Sequence, residues 1–294
     1  MVEFLQFTLS GVVFGMIYAA VALSLVLIWR GTRLLNYAQG GMAMITTYIA
    51  IEVIYHTGSY WAGFVVALVA GMLLGAVCQL TIIRPTMNKP PLNAVIVTIG
   101  LLVLLEGLAG IFFGGQFRSF PTAFSGTGLK VGGTPLGVSR FDIFVAAAVL
   151  VATLALAVAF RYTSAGLRMR AAAFNATIAR LSGIRVARVL TVGWALAGLL
   201  GALAGVLVSP STFLYPNNMD TIFVFGFTAA VIGGLDSPVG AVVGGLLLGL
   251  ALSYAGGYLP SGASLVPVVA FAILVLVLMV RPDGLFSATQ VRRV

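Results

Sequence analysis

RYTSAGLRMRAAAFNATIARLSGIRVAR, residues 161–188, decides how the rest of the chain must be arranged. It carries Arg161, Arg168, Arg170, Arg180, Arg185 and Arg188, six of the sixteen Lys and Arg residues, and it contains no acid. Almost purely apolar runs flank it on both sides, so the stretch is an excursion into water between segments that avoid it. Leu167, Ala171, Phe174, Ile178 and Leu181 recur at four- and three-residue intervals, which places them on one stripe of a helix. Ser164 can cap its start, Gly183 suits the left-handed position that closes it, Ile184 can pack back on Ile178, and Arg180 faces the negative end of the helix dipole. Such a basic amphipathic helix can lie at a lipid interface or serve as a docking element. Its back, Ala172, Ala173, Ala176 and Ala179, is almost all alanine and favours close approach by another protein over snorkelling into headgroups.

Working outward, 61% of the 294 residues are hydrophobic and 8% are charged; a soluble domain has about a quarter charged. Lipid is therefore the expected solvent. The formal charge of +9 is distributed between apolar runs instead of gathered on one face, so it reads as membrane topology and not as a nucleic-acid surface. One cysteine, Cys78, excludes an internal disulfide or thiol metal site, and one histidine, His56, leaves little for acid–base chemistry.

Apolar runs cover 4–28, 37–55, 60–83, 92–113, 141–160, 189–208, 222–235, 239–255 and 265–280. A helix needs roughly 20 residues to cross a hydrocarbon core. The first six qualify, whereas a run such as 222–235 reaches only about 21 Å. The first run has Glu3 before it and no basic flank, and is longer than a signal-peptide core, so it reads as a retained span. Alternate loops divide the basic residues thirteen to three: Arg30, Arg33, Arg84, Lys89, the six of the central stretch, Arg281, Arg292 and Arg293 against Arg118, Lys130 and Arg140. The basic set belongs in the cytoplasm. That puts the N-terminus outside, the C-terminus inside, and makes the number of crossings odd. Nine crossings satisfy this if 222–235 and 239–255 both traverse; the alternative is a single re-entrant hairpin. The expected fold is an all-α polytopic helix bundle forming one transmembrane domain over 1–294, with about 8–10 spans and a cytoplasmic helix. The longest outer loop, 114–140, is either a cap over the outer mouth or a solvated connector.

Glycines four residues apart occur at Gly11 and Gly15, Gly71 and Gly75, Gly201 and Gly205, Gly240 and Gly244, and Gly245 and Gly249. The spacing allows close helix contact in membranes. Within the broken segment 221–256, Gly233, Gly234, Asp236, Ser237 and Pro238 end one short helix and start another, with Asp236 or Ser237 available as its cap and Pro238 at its first turn. In a transporter such a break can mark a path or gate; it can equally be a tight cytoplasmic hairpin. Glu106 lies inside the fourth run, where an ionisable group is costly and points to function, unless it is a neutral hydrogen-bonding group between helices. Asn36 and Gln39 open the second run, Asn36 as a cap and Gln39 facing a pore or a neighbouring helix.

Absences narrow the chemistry. The chain has no G-x-x-x-x-G-K-[ST], so it carries no P-loop, and it has no G-x-S-x-G or H-E-x-x-H. Its seven acids are scattered one per segment, which does not advertise a catalytic pair.

Four stretches together resemble the permease subunits of bacterial ABC importers for branched-chain amino acids, specifically the smaller of the two permease types. They are GMIYAAVALSLVLIWRGTRLLNYAQGGMAMITTY at 15–48, with Asn36, Ala38 and Gly40 at the junction; 166–205, with Arg170-Ala171, Ala179, Leu181, Gly183-Ile184 and Leu196-Ala197-Gly198; the glycine-rich break 229–245; and RPDGLF at 281–286. The resemblance implies a multi-pass protein of the bacterial inner membrane working with a second permease, two ATP-hydrolysing subunits and an external solute-binding protein. ATP and magnesium would sit on the partners, with no cofactor in this chain. It also implies that the central helix is the ATPase-coupling element, carried by Arg168, Arg170, Phe174, Asn175, Ile178, Ala179 and Gly183. A path or gate would involve Asn36, Gln39, Glu106, Gly233, Gly234 and Asp236. Two positions depart from the family pattern: Gln39 stands where many relatives have His, and Phe174-Asn175 replaces a more polar, often acidic pair. Related permeases import urea and amides, which leaves the solute open. A self-sufficient ion-coupled transporter using Glu106 is the rival from another class.

Overall fold

Each of the nine apolar runs folds into a helix in the computed structural model, which describes residues 2–87, 89–124, 130–131, 134–135, 138–260 and 262–286. Arg292 and Arg293, counted with the basic loops above, lie outside the described residues. The elements are α1 (Val2–Thr32), α2 (Gln39–Thr57), α3 (Tyr60–Cys78), a π-helical turn (Gln79–Ile83), α4 (Arg84–Thr86), α5 (Pro91–Phe113), α6 (Arg140–Tyr162), α7 (Ser164–Phe174), α8 (Ala176–Leu181), α9 (Val186–Val208), α10 (Asp220–Gly233), α11 (Pro238–Tyr258), a 3₁₀ turn (Gly262–Leu265) and α12 (Val266–Val280). This is an all-α bundle. Among the described residues, the 114–140 loop adds a two-residue pairing of Lys130–Val131 with Thr134–Pro135 and an isolated bridge from Arg118 to Leu214.

Among the described residues six helices are long and apolar enough to cross a membrane: α1, the α3–α4 unit, α5, α6, α9 and α11. The set differs from the sequence expectation at two places. The run at 239–255 extends at both ends into the 21-residue α11 and is not short. The run at 37–55 becomes α2, whose Gln39, Thr46, Thr47 and Glu52 lower its hydropathy; the first three are buried inside the bundle. Apolar helices α10 and α12 remain short.

α1 is apolar all round and sits at the centre, packed against α9, α10 and α11. Glycine spacing sets the seams. Gly11 and Gly15 lie on the backbone of α11 at Gly249–Leu250 and Gly245–Leu246, and Gly71 and Gly75 of α3 lie on Gly198 and Trp194 of α9. A Cβ at Gly71, Gly75 or Gly198 would fall within 3.0 Å of a carbonyl on the facing helix, so the helix axes can approach this closely only without one. Gly198 is the facing half of the α3–α9 seam, and it was invisible to a search for glycines four apart. Outside this core, α3, α5, α6 and α12 present Leu73, Val103, Val151, Phe271 and similar side chains outward, as lipid contact requires.

Polarity separates the two ends. Arg30, Arg33, Arg84, Arg161 and α7–α8 gather at one end, where the chain also closes through Leu285 N–H to Ile232 C=O (2.8 Å) and Phe286 N–H to Gly233 C=O (3.2 Å). At the other end the described part of the 114–140 loop is anchored. Arg118 and Leu214 exchange backbone hydrogen bonds of 2.9 Å each, Arg118 donates to Glu52 at 2.8 Å and to the Phe113 carbonyl at 2.6 Å, and Phe120 is buried against Tyr60.

Candidate docking face and membrane-embedded polar site

Between α6 and α9 the chain makes two helices, where sequence periodicity predicted one. Asn175 adopts an extended conformation (φ −156°, ψ 104°), which no α-helix continues through, and its Oδ1 accepts from Thr177 N and Ile178 N at 3.0 Å each to start α8. Thr163, not Ser164, caps α7 by accepting from Gly166 N at 3.1 Å. Arg161 and Tyr162 finish α6, and Val186 to Arg188 open α9, so the excursion itself is shorter than 161–188. Gly183 does close the segment at φ +80°, with Ile184 N donating back to Ala179 C=O at 2.9 Å in a Schellman-type turn.

The orientation of the two helices inverts one expectation. The alanine side, represented by Ala172 and Ala179 at 5% and 3% exposure, packs on this chain's own Val186 and Leu190. It is a seat, not a docking face. Ile184 packs into the same cluster, while Ile178 points away from it. Leu167, Phe174, Ile178 and Leu181 are thereby turned outward together, Phe174 to 91% and Leu181 to 84% exposure. Arg168, Arg170 and Arg180 are exposed beside them. The result is an uncovered apolar ridge with a basic border, presented at the basic end of a membrane bundle.

Gly233, Gly234 and Asp236 lie at that same end. α10 stops at Gly234 (φ +95°), Ser237 caps α11 by accepting from Gly240 N at 3.0 Å, and Pro238 occupies the first turn. Asp236 pairs with Arg33, both about half exposed, and Arg33 also lies over the Trp29 ring. Gly233 and Gly240 meet backbone to backbone. The break is a tightly packed, ion-paired hairpin.

Asn36 and Gln39 are fully buried. Asn36 does not cap α2. Its Oδ1 accepts from Ala38 N at 3.1 Å in an Asx-type turn and its Nδ2 donates to Gln39 Oε1 at 3.0 Å. Gln39 Nε2 in turn donates to the Ala197 carbonyl of α9 at 2.8 Å, so Gln39 faces a neighbouring helix. This network ties the α1–α2 junction to α9, the helix on which α7 and α8 rest.

Glu106 acquires the partners that sequence could not name. It lies beside Asp220, at the start of α10, and Asn217, and Asn217 Nδ2 donates to Asp220 Oδ2 at 3.4 Å. Next in the chain, Asn218 is 4% exposed with neither amide atom partnered. Asn217, Asn218 and Asp220 were not singled out from sequence; their signal was the polar cluster just ahead of a short apolar run. Around Glu106, α5 exposes Gly100, Val103, Leu104, Gly107 and Gly110 on one side, and a Cβ at any of the three glycines would meet no atom within 4 Å. Carboxyl groups and open glycines thus share an uncovered face of the span.

A polytopic bundle with a buried glycine-knit centre, an apolar ridge at its basic end and an ionisable cluster on a spanning face has the build of a membrane permease subunit. The chain belongs to the family described as the branched-chain amino acid transport system / permease component, whose sequence profile matches residues 7–278. It is 32% identical over 308 residues to the high-affinity branched-chain amino acid transport system permease protein LivH of Escherichia coli K12, covering 99% of this chain and 98% of that protein. The LivH protein of Salmonella typhimurium is 30% identical over 306 residues, with the same coverage. The ribose import permease protein RbsC of Escherichia coli K12 is 25% identical over 242 residues, 78% of this chain and 71% of that one. Among solved structures, PsaBC from Streptococcus pneumoniae in complex with Fab shares the fold, with a TM-score of 0.51 at 17% identity, covering 95% of this chain and 91% of that one.

Proposed function

We propose that this chain is one of two permeases in an ATP-driven importer, carrying a branched-chain or closely related amino acid delivered by an external binding protein across the inner membrane. ATP is hydrolysed on separate subunits that grip the α7–α8 ridge. The observation that carries this reading is the outward turn of Leu167, Phe174, Ile178 and Leu181 while the alanine side is spent on the chain's own α9. Four large apolar side chains left bare beside arginines need a protein partner in an aqueous compartment. The similarity to LivH over nearly the whole chain supports the amino-acid assignment. Kinship with a ribose permease supports a fold that serves more than one solute, with urea and amides as the alternative cargo.

The second permease sits on α5. Carboxyl groups facing hydrocarbon are costly, so the Glu106–Asp220 cluster belongs against protein or water, and Gly100, Gly107 and Gly110 leave room for another helix. In this arrangement solute passes along that face and the N-terminus lies outside. Closure of the ATPases pushes on α7–α8; the push reaches the path through α9, Gln39 and the rigid seams.

The test is Phe174→Asp in the assembled complex. Uptake stops while the permease remains inserted in the membrane. Persistence of both uptake and transport-stimulated ATP hydrolysis in that variant overturns the coupling role, and uptake by the reconstituted chain alone overturns the division of labour.

A further inference from the structure

At the basic end, α3 does not continue smoothly into α4. Five residues, Gln79–Ile83, form a π-helical turn, a wide turn that often marks a functional position. It points Gln79 and Ile83 into the protein, both at 0% exposure, and Arg84 emerges at its end. A cavity of about 330 Å³ opens between this turn and α8–α9, lined by Gln79, Arg84, Met87, Arg180, Val186 and neighbours.

Every polar side chain in that lining presents a donor. Gln79 Oε1 is already taken by the Thr191 hydroxyl at 2.7 Å, which leaves Nε2 buried without an acceptor. Among the described residues neither guanidinium, Arg84 nor Arg180, has an ion pair or hydrogen-bond acceptor. A buried amide end without a partner is expensive, and two arginines lining the same cavity with no acceptor among the described residues call for an anion.

The face of α3 leading to the cavity says which anion. Val69, Leu73, Val77 and Leu80 follow at intervals of four, four and three, each 46–61% exposed, and the same side of the helix then reaches Arg84. An outward apolar ladder ending at cations and an inward donor matches a lipid: acyl chain along the ladder, phosphate at its end.

We propose that the Gln79–Arg84–Arg180 cavity is a binding site for the phosphate of an anionic phospholipid, whose acyl chain lies along the α3 ladder. Because Arg180 belongs to α8, the lipid clamps the outer edge of the α7–α8 segment to α3. This role goes beyond the transport reading and holds even if the cargo is not an amino acid.

The full chain, purified in detergent, is tested by native mass spectrometry and thermal unfolding with phosphatidylglycerol, with phosphatidylcholine of the same acyl chains, and with inorganic phosphate. Phosphatidylglycerol is retained and raises the unfolding midpoint more than phosphatidylcholine, and phosphate competes with it. In Arg84→Gln/Arg180→Gln the preference weakens roughly tenfold or more, whereas the charge-matched Arg161→Gln/Arg281→Gln keeps it. Arg180→Gln alone, an exposed position on α8, gives a partial loss and reports on the site should the double variant fold poorly. Equal response to the two lipids, or a preference unchanged in the double variant, overturns the proposal. Phosphate binding without lipid preference overturns the lipid assignment. So does equal lipid response combined with loss of ATPase co-purification in the double variant, which would give the arginines to the protein partner.

Discussion

Phe174→Ala separates docking from folding more sharply than any other substitution in this chain. Phe174 is 91% exposed, so its own chain gains almost nothing from the ring. Burying a phenylalanine fully contributes about 1.5–3 kcal/mol. If the ridge docks on an ATPase, that amount disappears from the complex and not from the permease. At 1.4 kcal/mol per factor of ten, the ATPase subunits should bind roughly 10- to 150-fold more weakly. The assay titrates ATPase subunits onto the solubilised permease, with thermal unfolding of the permease measured alongside. Leu181→Ala, at 84% exposure, should follow the same pattern to a smaller extent. Unchanged affinity with an unchanged unfolding midpoint refutes the docking face. A drop in the permease's own stability of the same size refutes it too, because it would mean that Phe174 packs within this chain.

Gly71→Val places methyl groups against the Gly198 carbonyl in the α3–α9 seam, where backbone faces backbone and neither side can yield. It should cost about 3 kcal/mol, read as a lower unfolding midpoint in detergent. Gly107→Leu does the opposite: its site is open in this chain, so the monomer should unfold as before while pairing with the second permease fails in cross-linking. Arg118→Ala removes the ion pair to Glu52 and the bond to the Phe113 carbonyl, both part-buried, and should cost about 1 kcal/mol. Limited proteolysis in the 114–140 loop is the direct readout, and wild-type cleavage kinetics would argue against Arg118 as the anchor.

Several features could be read from local chemistry because local chemistry causes them. Apolar run lengths, the segregation of arginines, Gly183 as a left-handed stop and Ser237-Pro238 as a helix start each depend on a few neighbouring residues. Periodicity alone erred at Asn175: the apolar spacing runs on unbroken past it from Phe174 to Ile178, while its side chain caps a new helix instead. Which side of α7–α8 faces outward was also beyond it, since both a bulky stripe and an alanine stripe suit an interface and only the position of Val186 and Leu190 decides between them.

By itself the sequence determined an all-α membrane bundle, its basic end, its close-packing glycines and its family, since these rest on residue type and on spacing along one helix. Tertiary structure decided the pairings: Gly198 against Gly71, Gln39 on the Ala197 carbonyl, and Glu106 beside an Asp220 that is far away in the chain. Such contacts depend on how separate helices cross, and a hydrophobic pattern records which side of a helix avoids water without naming the helix that covers it.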